Sequence, residues 1–135
     1  MKKVLLALMA LAIIAVHSAA RADDAAVDQG KTLTVSGTLV DTKCYLEGGD
    51  VSNNHGTMKA CGVACLKSGI PAGVLTSDKK LYILIFPSEP FAKYAGQPVE
   101  VTGTLYGDGN LVPAKASVVG KDGKKAIKLK GMAMM

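Results

Sequence analysis

The chain has no tryptophan and only two phenylalanines among its 135 residues. Single-stranded nucleic acid is held largely by stacking bases on aromatic rings, and few rings are on offer here. Charge does not fill the gap. The formal net charge is +5, but Lys2, Lys3 and Arg21 belong to a leader-like start. Without them, 13 of the 16 basic side chains face 11 acidic ones, for a net charge of +2. That balance gives little support for nucleic-acid or anionic-membrane binding. Several catalytic signatures are missing too. There is no glycine-rich phosphate loop, no G-x-S-x-G and no H-E-x-x-H. Neither C-x-x-C nor C-x-x-C-H occurs, which excludes the usual redox pair and covalent haem. No enzyme is expected.

Apolar runs are equally scarce. The one long run, Val4 to Val16, follows Met1-Lys2-Lys3 and is too short for a stable membrane span. Ala20-x-Ala22 then places small residues where signal peptidase reads. Residues 1–22 are therefore expected to be a cleaved secretory leader. No cysteine follows the run, so no lipid anchor is expected, and the mature chain is assigned to the periplasm. Its remaining length suits one domain with its own core.

Regular alternation runs through that domain. After a polar arm at 23–30, Leu33, Val35, Gly37 and Leu39 alternate with polar residues, as in a half-buried strand. Val99, Val101, Gly103 and Leu105 repeat the pattern, and Val35-Ser36-Gly37-Thr38-Leu39 resembles Val101-Thr102-Gly103-Thr104-Leu105. Mid-strand glycines mark bulges or tight bends. Strands are expected at 31–41, 74–76, 80–87, 97–106, 111–119 and 126–130, with short helices at 58–68, capped by Thr57, and 88–94, capped by Ser88. The fold class is all-β. A small OB-like barrel over 31–130, with a Cys/His loop at 44–73 and a tail at 131–135, is the first choice. A split β-sandwich is the second. The lysine-rich 121–130 stretch reads as an edge strand guarded against pairing, or more weakly as a contact for an acidic partner.

Within that loop lie all three cysteines, Cys44, Cys61 and Cys65, together with His55, the only histidine besides His17. Three thiols cannot pair completely, and in an oxidising compartment the odd one needs a partner or a metal. On a helix, Cys61 and Cys65 share one face. Cys44 and His55 complete a Cys3His set able to close a tetrahedral site. Asp50 or Glu47 is a candidate hydrogen-bond partner for His55, while Asp41 reads as an exposed loop carboxylate. Zinc suits a closed Cys3His site, and copper suits soft thiolates. A disulfide with one spare thiol, in a module that binds another periplasmic protein, and thiol redox chemistry remain open alternatives.

The order Cys44-Tyr45-Leu46, His55, Cys61, Cys65 and Gly69-Ile70-Pro71-Ala72-Gly73 resembles a group of small exported bacterial proteins carrying this pattern. The resemblance covers roughly 33–106 and implies export and this ligand set, but no particular activity. Cys61-x3-Cys65 also resembles the copper motif of Sco-type copper chaperones. Those have a thioredoxin-like fold, so that likeness concerns ligand chemistry alone.

Overall fold

A computed structural model describes residues 30–130. The expected leader, nearly all of the 23–30 arm and the 131–135 tail lie outside the described residues. Among the described residues no helix is long and apolar enough to cross a membrane.

Six strands form one sheet: β1 (Lys31–Asp41), β2 (Ala72–Leu75), β3 (Leu81–Leu84), β4 (Pro98–Tyr106), β5 (Asn110–Gly120) and β6 (Gly123–Ile127). β1 pairs antiparallel with both β2 and β4, β2 with β3, and β4 with β5. A short parallel pairing, Ile83 to Asn110 and Leu84 to Leu111, joins β3 to β5 and shuts the barrel. The first five strands thus make a closed OB-like barrel rather than a split sandwich. β6 is added outside it, against β5 alone.

Closure depends on two strands bending, and Gly37 and Gly103 show how. A Cβ on Gly37 would lie 2.2 Å from the Leu75 carbonyl oxygen, and one on Gly103 2.2 Å from that of Val112. Only glycine permits backbones so close. β1 changes partner at this point, Thr38 lying opposite both Leu75 and Pro98. In β4 the register against β5 shifts between Thr102 and Gly103, the signature of a bulge. The two similar segments are neighbours, with Val35 opposite Val101.

The alternating residues point inward as expected. Val35, Leu39, Val74, Leu84, Val99, Val101 and Leu111 are buried in one cluster. A 3₁₀ helix, Glu89–Tyr94, adds Phe91, which is fully buried and meets Phe86 edge-on with ring centroids 6.2 Å apart. It fills the position expected of an 88–94 helix with Ser88 at its N-cap, but the Ser88 side chain makes no capping bond. The Ser88 hydroxyl instead donates to the Leu66 carbonyl at 2.7 Å, tying this segment to the helix that carries two cysteines.

Three boundaries differ from expectation. The apolar run 81–86 stops pairing as a strand at Leu84, and Ile85 is half exposed although its N–H still reaches the Leu111 carbonyl. β2 begins at Ala72, two residues before the expected start. The last strand lies at 123–127 and not at 126–130, because Gly123, with φ of 107°, closes a tight turn directly after β5. That φ suits glycine, and the two-residue turn fixes the register of Val119 against Lys124.

Candidate metal centre

Two short helices in the β1–β2 crossing hold the three cysteines. The first, α1 (Thr42–Gly48), departs from expectation, since the sequence places Cys44 at the start of a loop. Asp41 starts it. Its carboxylate accepts the Cys44 N–H at 2.8 Å, a standard N-cap bond. Gly49, with φ of 69°, ends it. Thr42 donates through both its N–H and its hydroxyl to the Pro71 carbonyl, at 3.1 and 3.0 Å, which fixes α1 to the strand that closes the crossing. Cys44 thus sits in the first turn of α1 and is buried.

The second helix, α2 (Cys61–Lys67), starts three residues later than expected. Thr57 does not cap it, and Ala60 precedes it in a left-handed conformation with φ of 58°. Its first N–H groups are met from outside. The Asn53 side chain accepts from Val63 at 2.9 Å, the Asn53 carbonyl accepts from Gly62 at 3.1 Å, and the Asn54 side chain accepts from Ala60 at 2.9 Å. Two asparagines of the preceding loop therefore cap the helix that bears Cys61 and Cys65. At its far end Gly69, with φ of 96°, lets Gly69 and Ile70 donate to the Leu66 and Cys65 carbonyls. This is the Schellman ending that the Gly69 position predicts. Leu66, fully buried, anchors α2 to the barrel.

These supports bring the sulfurs together. Cys44 Sγ lies 3.6 Å from Cys61 Sγ, and Cys61 Sγ lies 3.9 Å from Cys65 Sγ. His55 places a ring nitrogen within 4.8 Å of the Cys44 and Cys61 sulfurs. It stands in a tight turn where His55 and Met58 exchange two backbone hydrogen bonds, at 2.9 and 2.8 Å. Its Nε2 faces Gly48, where a Cβ would lie 3.4 Å away. The four residues drawn from the sequence therefore cluster in one place, with Cys44, His55 and Cys61 mutually close enough to hold a metal ion and Cys65 beside Cys61. A tetrahedral ion bound to sulfur at ~2.3 Å sets its sulfurs about 3.8 Å apart, and both sulfur separations fall beside that value.

Asp41 was misread. It is only 2% exposed, and a carboxylate oxygen lies within 4.8 Å of the Cys44 and Cys65 sulfurs. Its place directly before a Thr-Lys-Cys start, with glycines seven and eight residues on, is the helix signal that could have found it. The expected partners of His55 are also engaged elsewhere. Glu47 pairs with Lys43 at 2.5 Å, and Asp50 accepts the Ser52 N–H at 2.7 Å. The Ser52 bonds hold the Asp50 carboxyl below its usual range, with the His55 charge a lesser contributor.

Without metal, Cys44 and Cys65 prefer to keep their protons. Burial pushes the Cys44 thiol well above the ordinary thiol range, and hydrogen bonds to Cys61 and Asp41 add to the shift. Burial also raises Cys65, followed by its contact with Cys61 and the Asp41 charge. No disulfide joins the three. Comparison of the chain with family models, curated proteins and solved structures gave no match.

Proposed function

We propose that this chain is an exported protein that holds one transition-metal ion, zinc or copper, through Cys44, His55, Cys61 and Cys65. Its role is to bind or hand on the metal, not to catalyse a reaction. The observation that carries this reading is the spacing of the sulfurs, at 3.6 and 3.9 Å, on two helices that are each fixed by capping bonds from outside themselves. A divalent or cuprous ion would relieve the crowding of three thiols, two of them buried, by replacing their protons. Soft thiolates with one imidazole suit both metals.

The experiment is elemental analysis of protein purified from the periplasm, with free thiols counted on the same denatured sample. One equivalent of zinc or copper with three thiols is the expected result. Substituting Cys44, His55, Cys61 or Cys65 by Ala should lower the metal content. Unchanged stoichiometry in all four variants would sink the assignment. A second reading has one observation in its favour: Cys44 and Cys61 are both buried and adjacent, so a modest shift would bring them to the ~2.05 Å of a disulfide. That version gives one thiol and no metal, and makes the crossing a disulfide-stapled binding module.

A further inference from the structure

Away from the thiols, a groove of about 710 Å³ runs between the 3₁₀ helix, the end of α2 and β6. Lys67, Lys93, Lys125, Lys128 and Lys130 line it, against the single acid Glu89. The ion pairs among the described residues, Lys43 with Glu47 and Lys124 with Glu100, involve none of these five lysines. Lys93 lies over the Tyr94 ring, 5.0 Å from its centroid, and has no acidic partner among the described residues. Lysines on an edge strand usually guard it against pairing with other chains. That explains Lys125, but not Lys67 on α2 or Lys93 on the 3₁₀ helix, which converge on the same groove from other elements.

The surrounding surface gives the groove a shape. Among the described residues β6 pairs on one side only, with β5, which leaves its other backbone edge unpaired there. Pro90 and Ala126 supply apolar lining between the lysines. A second, more apolar hollow of about 350 Å³ continues from it past Lys67, Pro87 and Glu89. The result is an elongated cationic trough beside a strand edge that no other described residue pairs with.

We propose that this trough docks an extended acidic segment of a partner protein, which adds a strand along β6. Its carboxylates meet the groove lysines and its alternate side chains lie on the apolar lining. Opposite charge on the segment supplies the counterions that the lysines lack, and steers the encounter. The groove meets the helix of the thiols only at its end, through Lys67, and neither a thiol nor His55 lines it, so its test needs no metal.

The test uses the purified protein and a labelled ten-residue peptide of alternating Glu and Val, followed by fluorescence anisotropy. Binding should weaken as salt is raised, because the exposed charges are screened. The double variant Lys125→Glu/Lys128→Glu should lose at least about tenfold in affinity. The double variant Lys31→Glu/Lys79→Glu, with the same change in net charge but outside the groove, should stay within about twofold. Unchanged amide NMR spectra away from the substitutions check that both variants fold. A peptide of alternating Glu and Pro, with half its backbone donors removed, should bind more weakly. Equal binding of the two peptides would overturn the added strand. Equal losses in both double variants, or no binding of the Glu-Val peptide, would overturn the site. So would binding to phosphatidylglycerol vesicles through the same lysines in place of the peptide, since the face would then belong to a membrane surface.

Discussion

At Asp41 two roles are carried by one carboxylate, and they can be separated. The side chain accepts the Cys44 N–H, and its charge stands beside the Cys44 and Cys65 sulfurs. Asn can also cap a helix, so Asp41→Asn should leave the stability of the metal-free chain within a few tenths of a kcal/mol. Asp41→Ala should cost about 1–2 kcal/mol, because the cap is lost and a buried N–H is left unpaired. Urea unfolding of both variants makes the comparison, and equal losses would show that the charge matters and the cap does not. The thiols add a pH dependence whose sign reverses with metal. In the metal-free chain the folded pKa values of Cys44 and Cys65 lie above their unfolded values. Their contribution to stability is then fully present below the ordinary thiol pKa of about 8.5 and is lost as pH rises past it. With metal bound the folded state holds thiolates and the unfolded state holds protons, so stability should rise with pH up to about 8.5. Urea midpoints measured from pH 6 to 10, with and without zinc, should therefore slope in opposite directions. Parallel slopes would mean that the thiols do not release their protons to a metal. The four clustered positions were legible in the sequence because the rare residue types stand together. Asp41 was not, since an aspartate after a strand looks the same whether it caps a helix or faces water.

Alternation made the strands readable at the level of elements. Inward and outward residues differ in polarity along β1 and β4, and Gly37 and Gly103 marked the bends that let the sheet close. The two helices were harder. Each has seven residues, too few for an apolar period to show, and each is held from outside itself. α2 begins where Asn53 and Asn54 reach it from the preceding loop, at a sequence separation that no local capping rule spans. β6 was misplaced because the sequence offers several acceptable turns near 121–124, and only pairing with β5 selects one. The asparagine caps lead to a prediction about function. Asn53→Ala removes the acceptor for the Val63 N–H at the start of α2, at a cost of about 1 kcal/mol. The loss falls beside Cys61, so metal affinity should drop several-fold although Asn53 offers the ion no thiolate or imidazole. Competition with a chromophoric chelator would measure this, and Asn54→Ala, acting on Ala60 outside α2, should have the smaller effect. Wild-type affinity in Asn53→Ala would show that the fixed frame of α2 does not set the site.

The whole molecule divides into a barrel that closes through its own strands and a crossing, 42–71, that is tied down at a few points. The barrel has a continuous core of Val, Leu and Phe91, and none of its strand pairings passes through the thiols. The crossing contributes Leu66 and, partly buried, Val63 to that core; Ser88 ties it to the rest through the Leu66 carbonyl, while the Thr42–Pro71, Asn53 and Asn54 bonds hold it together internally. A metal would add the missing constraint by joining α1, the His55 turn and α2 at one point. A ligand that binds only the folded state stabilises it by RT ln(1 + [L]/Kd), about 4 kcal/mol at a thousandfold excess over Kd. Chelation should therefore lower Tm, while far-UV circular dichroism at 25 °C keeps the barrel's strand signal. Hydrogen exchange should locate the change. Amides of α1, α2 and the loop between them should lose protection, while those of β1, β4 and β5 keep theirs, because local opening follows the distribution of contacts. Loss of protection across every strand would mean that the metal is needed to form the barrel itself. Unchanged protection in the crossing would mean that Leu66 and the capping bonds already hold it, and that any ion bound there is carried without being structurally required.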